Sequence, residues 1–576
     1  MAGKQKYLPH DAKEKLDQYV YKGQDKSYIY KNFWRPLITK LVNYLPVWLA
    51  PNVITISALV GVCVVHVLLS YSMPSFAVGN TFVKESPELR HEVNYDASYG
   101  EYLPPPRYVL LLAAFTLFLY QLLDNLDGHQ ARRTGTSSPL GLLMDHGCDA
   151  FNCIIGGLNL CMTLATGPSW KTFLVLTNTV VVFFLNTWEE YYRGELVLPV
   201  INGPNEGILI AISFYLFTAW QGGPQWWSAN AIEIPAKWLP AVLRQPAPQA
   251  AAAVEKVVLE KICPWLTRPD RSAGEFSALP FFFNLNCTPS YMAQPQLPTR
   301  REVNTGEASP VMSTVWRGNS PVQQAVLRLF GSSEGTLRMK YNTVAVWVMT
   351  VMAVVTAASH VCEVYRAIRK LTPEERKEKF GRRRFPFLHS LSRVIPTIAV
   401  TLLSVLWFVT SQEDIFRRHP RLFCWTVGLL VTKLTIHLMV AHLLSQPYQP
   451  FRKTFIPITV FAGHILLTYF HNVSRARKEM IRGMSLAEET IIGGSHSNLP
   501  YSSYAQYAYD MDEEMVLYEF FFLSLVSFVH LAYYVVRETA HALSVSVFTV
   551  PKDKQLALLA KEKERKAQRK AQQKKG

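Results

Sequence analysis

Four aspartates, Asp124, Asp127, Asp145 and Asp149, crowd one short stretch of the chain, DNLDGHQARRTGTSSPLGLLMDHGCD, at the ends of two otherwise apolar runs. Asp124 and Asp127 are three positions apart, Asp145 and Asp149 four. Either spacing puts a pair on one face of a helix, about 5–6 Å apart at Cβ. Residues 134–138 carry turn chemistry, and Ser138-Pro139 reads as an N-cap followed by a first-turn proline. The spacing therefore predicts a tight helical hairpin on which four carboxylates converge. Such a cluster repels itself, and divalent cations relieve the repulsion. Oxygen-only ligands favour Mg2+ or Mn2+ over zinc. Two ions balance four negative charges, and a metal pair can orient a pyrophosphate and stabilise both attacking and leaving oxygens.

The residues between the aspartates fit that chemistry. Gly128 lets a ligand approach the backbone, and Ala131 is small to the same effect. The planar fork of Arg132 suits phosphate oxygens. Gly141 is expected to permit close helix packing near the metals. The competing reading is that the acids merely pair with Arg132, Arg133 or His146, but four acids exceed what those bases offset.

The elements that must hold these side chains are helices in a bilayer. Of 576 residues, 49% are hydrophobic and 18% charged, too few charges for a soluble surface of this size. The apolar residues are clumped into runs near the length that crosses a membrane. Spans are expected near 53–71, 107–126, 140–166, 170–188, 207–221, 341–362, 388–411, 421–443, 453–470 and 515–536. The fold class is thus all-α, a polytopic membrane protein of about ten transmembrane helices.

With the N-terminus in the cytosol, the Arg132/Arg133 turn, the basic 366–384 loop and the Lys-rich tail all fall on the cytosolic side. That distribution accounts for the net charge of +16 and argues against a nucleic-acid partner. The same topology puts the sequons at Asn286 and Asn472 on the lumenal side.

Five regions follow: 1–50, a cytosolic N-terminus with an interfacial amphipathic helix at 28–48; 51–221, the catalytic helices; 222–340, a lumenal insertion; 341–536, C-terminal transmembrane helices; and 537–576, a basic cytosolic tail. Residues 28–48 also read as a plain juxtamembrane linker, and the tail as a charged helix or a disordered segment. Residues 1–31 lack a signal-peptide core, so the first span is expected to direct insertion. The eight cysteines show no metal spacing; Cys263 and Cys287 could pair if their loop is lumenal.

The pattern D-x2-D-G-x2-A-R-x8-G-x3-D-x3-D matches the signature of the CDP-alcohol phosphotransferase family at every fixed position. Beyond it, the chain resembles the eukaryotic choline/ethanolamine phosphotransferase branch. LAPNVIT (49–55), DNLDGHQARRTGTSSPLG, DHGCD, TWEEYYRGEL (187–196) and GPNEG (203–207) carry that resemblance. It is detailed over 28–220 and mainly topological beyond.

The resemblance implies the CDP-alcohol phosphotransferase fold and its reaction. A diacylglycerol or alkylacylglycerol hydroxyl attacks the β-phosphorus of CDP-choline or CDP-ethanolamine, and CMP leaves. It further implies Asp124, Asp127, Asp145 and Asp149 as metal ligands. Asn52 and Arg132 would contact the CDP-alcohol, and Gly128, Ala131 and Gly141 would line its site. The hydroxyl must lose a proton, and His146 suits that task near neutral pH. Asp149 is the competing base, and His146 could instead orient Asp145. The endoplasmic reticulum, or the Golgi, is the implied membrane, with the site facing the cytosol, and a homodimer stays open.

One departure stands out. The branch has Gly-Glu-Leu-Phe before the DH pair, whereas Leu142, Leu143 and Met144 follow Gly141 here. No role of that glutamate carries over. Glu189 and Glu190 could bind an ammonium or form an ordinary interfacial pair. Asn152 and Asn159 either line the site or bond between helices. His437, His442 and His464 read as packing or hydrogen-bonding residues. An inositol-type enzyme of the same family, a transporter and a non-catalytic scaffold are the rival readings.

Overall fold

The computed structural model describes residues 7–9, 11–77, 104–198, 203–235, 336–381, 383–411, 415–449, 463, 466–467 and 512–573. The chain divides into two compact units, one of Met1–Ala229 with Asn342–Gly576, the other Asn230–Tyr341.

The first unit begins with α1 (Ala12–Gln18), β1 (Gly23–Asp25), α2 (Arg35–Leu41), α3 (Pro51–Ser72), α4 (Arg107–Thr134) and α5 (Pro139–Thr163). It continues through α6 (Trp170–Arg193), β2 (Leu196–Leu198), α7 (Pro204–Trp220) and α8 (Gln225–Ala229). After the second unit come α9 (Tyr341–Lys370), α10 (Pro373–Phe380), α11 (Pro386–Ser392), α12 (Ile395–Thr410), α13 (Ile415–Arg418), α14 (Pro420–Leu443), α15 (Glu513–Leu543) and α16 (Lys552–Gln573). In the second unit, β3 (Ala231–Pro235) pairs antiparallel with β4 (Thr336–Lys340), Ala231 opposite Lys340. Its cysteines and Asn286 lie outside the described residues, as do Asn472 and His464.

The chain is an integral membrane protein built of helices, as its composition predicts. Among the described residues, six helices, α3, α4, α6, α9, α14 and α15, are long and apolar enough to cross a membrane. Counting α11 and α12, bent by 42° at their junction, as one span makes seven. The expected ten are not reached among the described residues. Helix α5 forms where expected, but its polar side chains lower its hydropathy. Helix α7, with 17 residues, is about 25 Å long, short of the roughly 30 Å hydrocarbon core. The expected span at 453–470 lies outside the described residues except for 463 and 466–467.

Helix α3 packs against α4 and α5, α4 also against α7, and α14 against α5, α6 and α15. Glycine sets two of these approaches. A Cβ at Gly157 of α5 would lie 2.9 Å from Thr179 Oγ1 on α6, and one at Gly428 of α14 would lie 2.9 Å from Ile154 of α5. Small residues at such crossings let backbones come close where lipid offers no hydrophobic drive. Outward rows such as Val60, Val64 and Val67 of α3, or Phe522, Val526 and Val529 of α15, stay exposed, as suits lipid contact.

The N-terminal segment is held on the bundle by two patterns. Trp34, Ile38 and Val42, spaced four apart along a continuous helical stretch, are buried against Leu126 of α4 and its neighbours. Phe33 and Tyr44 on the same stretch, and Trp48 just after it, stay exposed. Leu8, Ala12 and Leu16 pack against Ile436 and Met439 of α14 and Leu531 and Val535 of α15. Strand β1 pairs in parallel with β2, Gly23 opposite Leu196, a small addition to the all-α expectation.

Candidate active site

The hairpin between α4 and α5 forms as the sequence predicts. Gly135 ends α4 at φ 65°, with its N–H donating to Arg132 O and that of Thr136 to Ala131 O. A left-handed residue at that point is what glycine supplies without steric cost. Ser138 caps α5, its hydroxyl accepting from Gly141 N–H at 3.3 Å, and Pro139 opens the first turn. The two helices then present their acids to each other. Oxygens of Asp124, Asp145 and Asp149 all lie within 4.8 Å of one another.

Asp127 stands outside that triad. Its Oδ2 accepts a hydrogen bond from Thr55 Oγ1 of α3. The convergence is therefore three carboxylates with a fourth tied to the neighbouring helix, rather than four equal members. Tyr120, one turn before Asp124, donates to Asp149 Oδ1 at 2.7 Å while its ring packs with Ala58, Val62 and Ile155. Arg133 does not neutralise the cluster. Its guanidinium donates to Val42 O at 2.7 Å and Leu45 O at 2.8 Å, and pairs with Glu562 of α16 at 2.8 Å.

Two buried oxygens of the triad, Asp124 Oδ1 and Asp145 Oδ1, have no hydrogen-bond partner. Buried carboxylate oxygens left unpaired are costly, and three convergent oxygens of this kind fit a hard divalent cation.

Every residue expected at the site, Asn52, Asp124, Asp127, Gly128, Ala131, Arg132, Gly141, Asp145, His146 and Asp149, lines one cavity of about 1150 Å³. Its lining is largely apolar, with Leu160, Val175, Ile210, Phe214, Met349 and Met352 in the same walls as the acids. Arg132 is exposed in the wall and pairs with no carboxylate among the described residues. A Cβ at Gly128 would touch its guanidinium at 3.6 Å.

Gly141 departs from expectation. A Cβ there would meet Asn52 Oδ1 and Ser138 Oγ at 3.9 Å, ordinary contact, so helix packing does not require glycine at this position. The tight crossings are at Gly157 and Gly428 instead. Asn52 Nδ2 donates to Val547 O at 2.8 Å, which draws the segment after α15 into the cavity wall along with Thr549, Pro551 and Lys554. Nothing in the sequence signals that distant contribution. Tyr120 and Thr55 were within reach of it, one as the residue a turn before Asp124, the other as the last letter of LAPNVIT.

The remaining polar side chains sort by contact. Asn152 lines the cavity with its Oδ1 unpartnered, whereas Asn159 Oδ1 lies 2.7 Å from His66 Nδ1 and joins α5 to α3. Glu189 pairs with Arg193 at 3.0 Å and with His360 at 2.6 Å. Asp25 accepts from Ser27 N–H at 2.7 Å and Asn205 Nδ2 at 2.8 Å, yet burial holds its carboxyl above the ordinary range. The His437 ring lies 6.0 Å from the Tyr7 ring, tilted by 49°.

Comparison with known proteins agrees with this geometry. Residues 48–239 match the family model of the CDP-alcohol phosphatidyltransferases. Choline/ethanolaminephosphotransferase 1 of Arabidopsis thaliana is 37% identical over 228 residues, 39% of this chain and 52% of that protein. Cholinephosphotransferase 1 of Saccharomyces cerevisiae is 32% identical over 209 residues, 36% of this chain and 47% of that protein. An uncharacterized CDP-alcohol phosphatidyltransferase class-I family protein 3 of Dictyostelium discoideum is 34% identical over 248 residues, 41% of this chain and 55% of that protein. The chain thus spans about half the length of the curated relatives it matches. The matched segment contains α3 to α8 and with them the acidic hairpin, so the similarity to the CDP-alcohol phosphatidyltransferases covers the part of the chain that builds the site.

Proposed function

We propose that this protein transfers phosphocholine or phosphoethanolamine from the CDP-alcohol to the free hydroxyl of a diradylglycerol, releasing CMP. The observation that carries the reading is a triad of carboxylates, Asp124, Asp145 and Asp149, with two unpaired buried oxygens, in the wall of a large and mostly apolar cavity. A nucleotide donor suits the acids and a lipid acceptor the apolar walls. The relatives' names support the same substrates.

Asp124, Asp145 and Asp149 would hold Mg2+ or Mn2+, with Asp127, braced by Thr55, available for a second ion. When bound, the metal supplies charge neutralisation and polarisation of the donor's pyrophosphate. The chain's own groups do the rest. Arg132, free of carboxylate partners among the described residues, grips phosphate oxygens. The apolar walls seat the acyl chains and bring the acceptor hydroxyl to the acids, converting a two-body encounter into a positioned one. His146, in the cavity wall, takes the hydroxyl proton; Asp149, whose Oδ1 is already bonded by Tyr120, is the competing acceptor. We further propose an endoplasmic-reticulum location with this mouth toward the cytosol, consistent with the basic residues beside it.

The test is direct. Purified protein in diacylglycerol-containing nanodiscs, given radiolabelled CDP-choline or CDP-ethanolamine, is expected to yield the labelled phospholipid and an equal amount of CMP. Failure with both donors, or CMP release without phospholipid, contradicts the assignment.

A further inference from the structure

An imidazole that removes a proton through one ring nitrogen works best when its other nitrogen is held in one tautomer by an acceptor. On α5 the residue one turn before His146 is Leu142, which offers no such bond. Among the described residues, the carboxylate within ion-pair reach of His146 is Glu190 of α6, whose Oε2 lies 4.0 Å from Nδ1. Glu190 Oε1 lies 3.7 Å from His442 Nε2 of α14, and the Tyr19 hydroxyl lies 3.4 Å from that same nitrogen.

Glu190 is 4% exposed, and no lysine or arginine pairs with it among the described residues. His146 lines the cavity, whereas Glu190 stands behind it and has no place in the wall. The ammonium-binding role open to Glu190 on sequence grounds needs a carboxylate that the substrate can reach, and this one is buried and does not line the cavity.

We infer that Glu190 is the positioning residue for His146: it accepts the Nδ1–H and leaves Nε2 facing the cavity. His442 lies on the far side of the carboxylate, and the Tyr19 hydroxyl contacts that imidazole. The 4.0 Å separation is the loose form of a contact that tightens once substrates fill the site, as such contacts do. The inference rests on the transfer reaction proposed above.

Steady-state kinetics of the full chain in diacylglycerol nanodiscs test it, with wild type, Glu190→Gln, His146→Ala and the double variant. Glu190→Gln is expected to lower kcat roughly tenfold to a hundredfold, with KM for the CDP-alcohol moving by less than about twofold. In the His146→Ala background the same substitution is expected to change kcat by less than about twofold, because a residue acting through His146 has nothing left to position. A merely structural role lowers kcat by the same factor in both backgrounds, and that result overturns the inference. So does a Glu190→Gln enzyme that keeps wild-type kcat. If Glu190→Gln does not fold, Glu190→Asp replaces it, with a smaller kcat loss showing the same dependence on His146. Inactive wild type strikes down the transfer reaction and this inference together; active wild type without the coupling strikes down this inference alone.

Discussion

At the residue scale, the account turns on which oxygens lack partners. Asp124 and Asp145 each keep a buried unpaired oxygen, while Asp127 and Asp149 are each bonded by a hydroxyl, from Thr55 and Tyr120. Asp145→Ala and Asp149→Ala are therefore expected to lower transfer by roughly a hundredfold to a thousandfold, the scale of losing one preorganised electrostatic group. Thr55→Val removes the brace on Asp127 and is expected to weaken metal activation by about tenfold or more. His146→Ala should fall severely, and Cys153→Ala, whose thiol merely lines the wall, should not. Initial rates at saturating donor, across a metal titration, check all of these. The acids were legible in the sequence because three- and four-residue spacings have one geometric meaning on a helix. The inequality among them was not, because it depends on Thr55, which is 72 positions from Asp127.

At the scale of elements, the α4–α5 turn was readable from local chemistry alone, since a cap serine, a first-turn proline and a helix-ending glycine each specify backbone geometry. Helix crossings were less so. Gly141 looked like a packing glycine because it lies near the acids, yet the close approaches fall at Gly157 and Gly428. Which glycine faces a neighbour depends on helix rotation, which one sequence does not fix. Gly428→Val would drive a branched side chain into Ile154, whose atoms lie within 3.0 Å of the site of a Cβ. It is expected to cost about 1–3 kcal/mol, read as a lowered midpoint of thermal unfolding in detergent. Ile154→Ala in the same background should recover part of that loss, since it opens the space the new side chain needs.

For the whole molecule, the spans came out of composition, but their number did not, because polar α5 and short α7 fall between a span and a half-span. The cavity was invisible to sequence for a different reason. Its walls come from the N-terminal segment 19–30, from α3 through α7, from α9, and from residues 544–554 after α15, joined to Asn52 through Val547. Those pieces meet only in the fold, and they bring an acidic hairpin and an apolar chamber into one enclosure. The claim on which everything depends is that the hairpin acts through bound divalent ions. It is tested by following CMP release from CDP-choline and CDP-ethanolamine in diacylglycerol nanodiscs, with the protein first stripped by chelator and then titrated with Mg2+ or Mn2+. The account predicts no release after stripping, saturable recovery on titration, and a large rightward shift of that curve in Asp145→Asn; release that persists undiminished in excess chelator would contradict it.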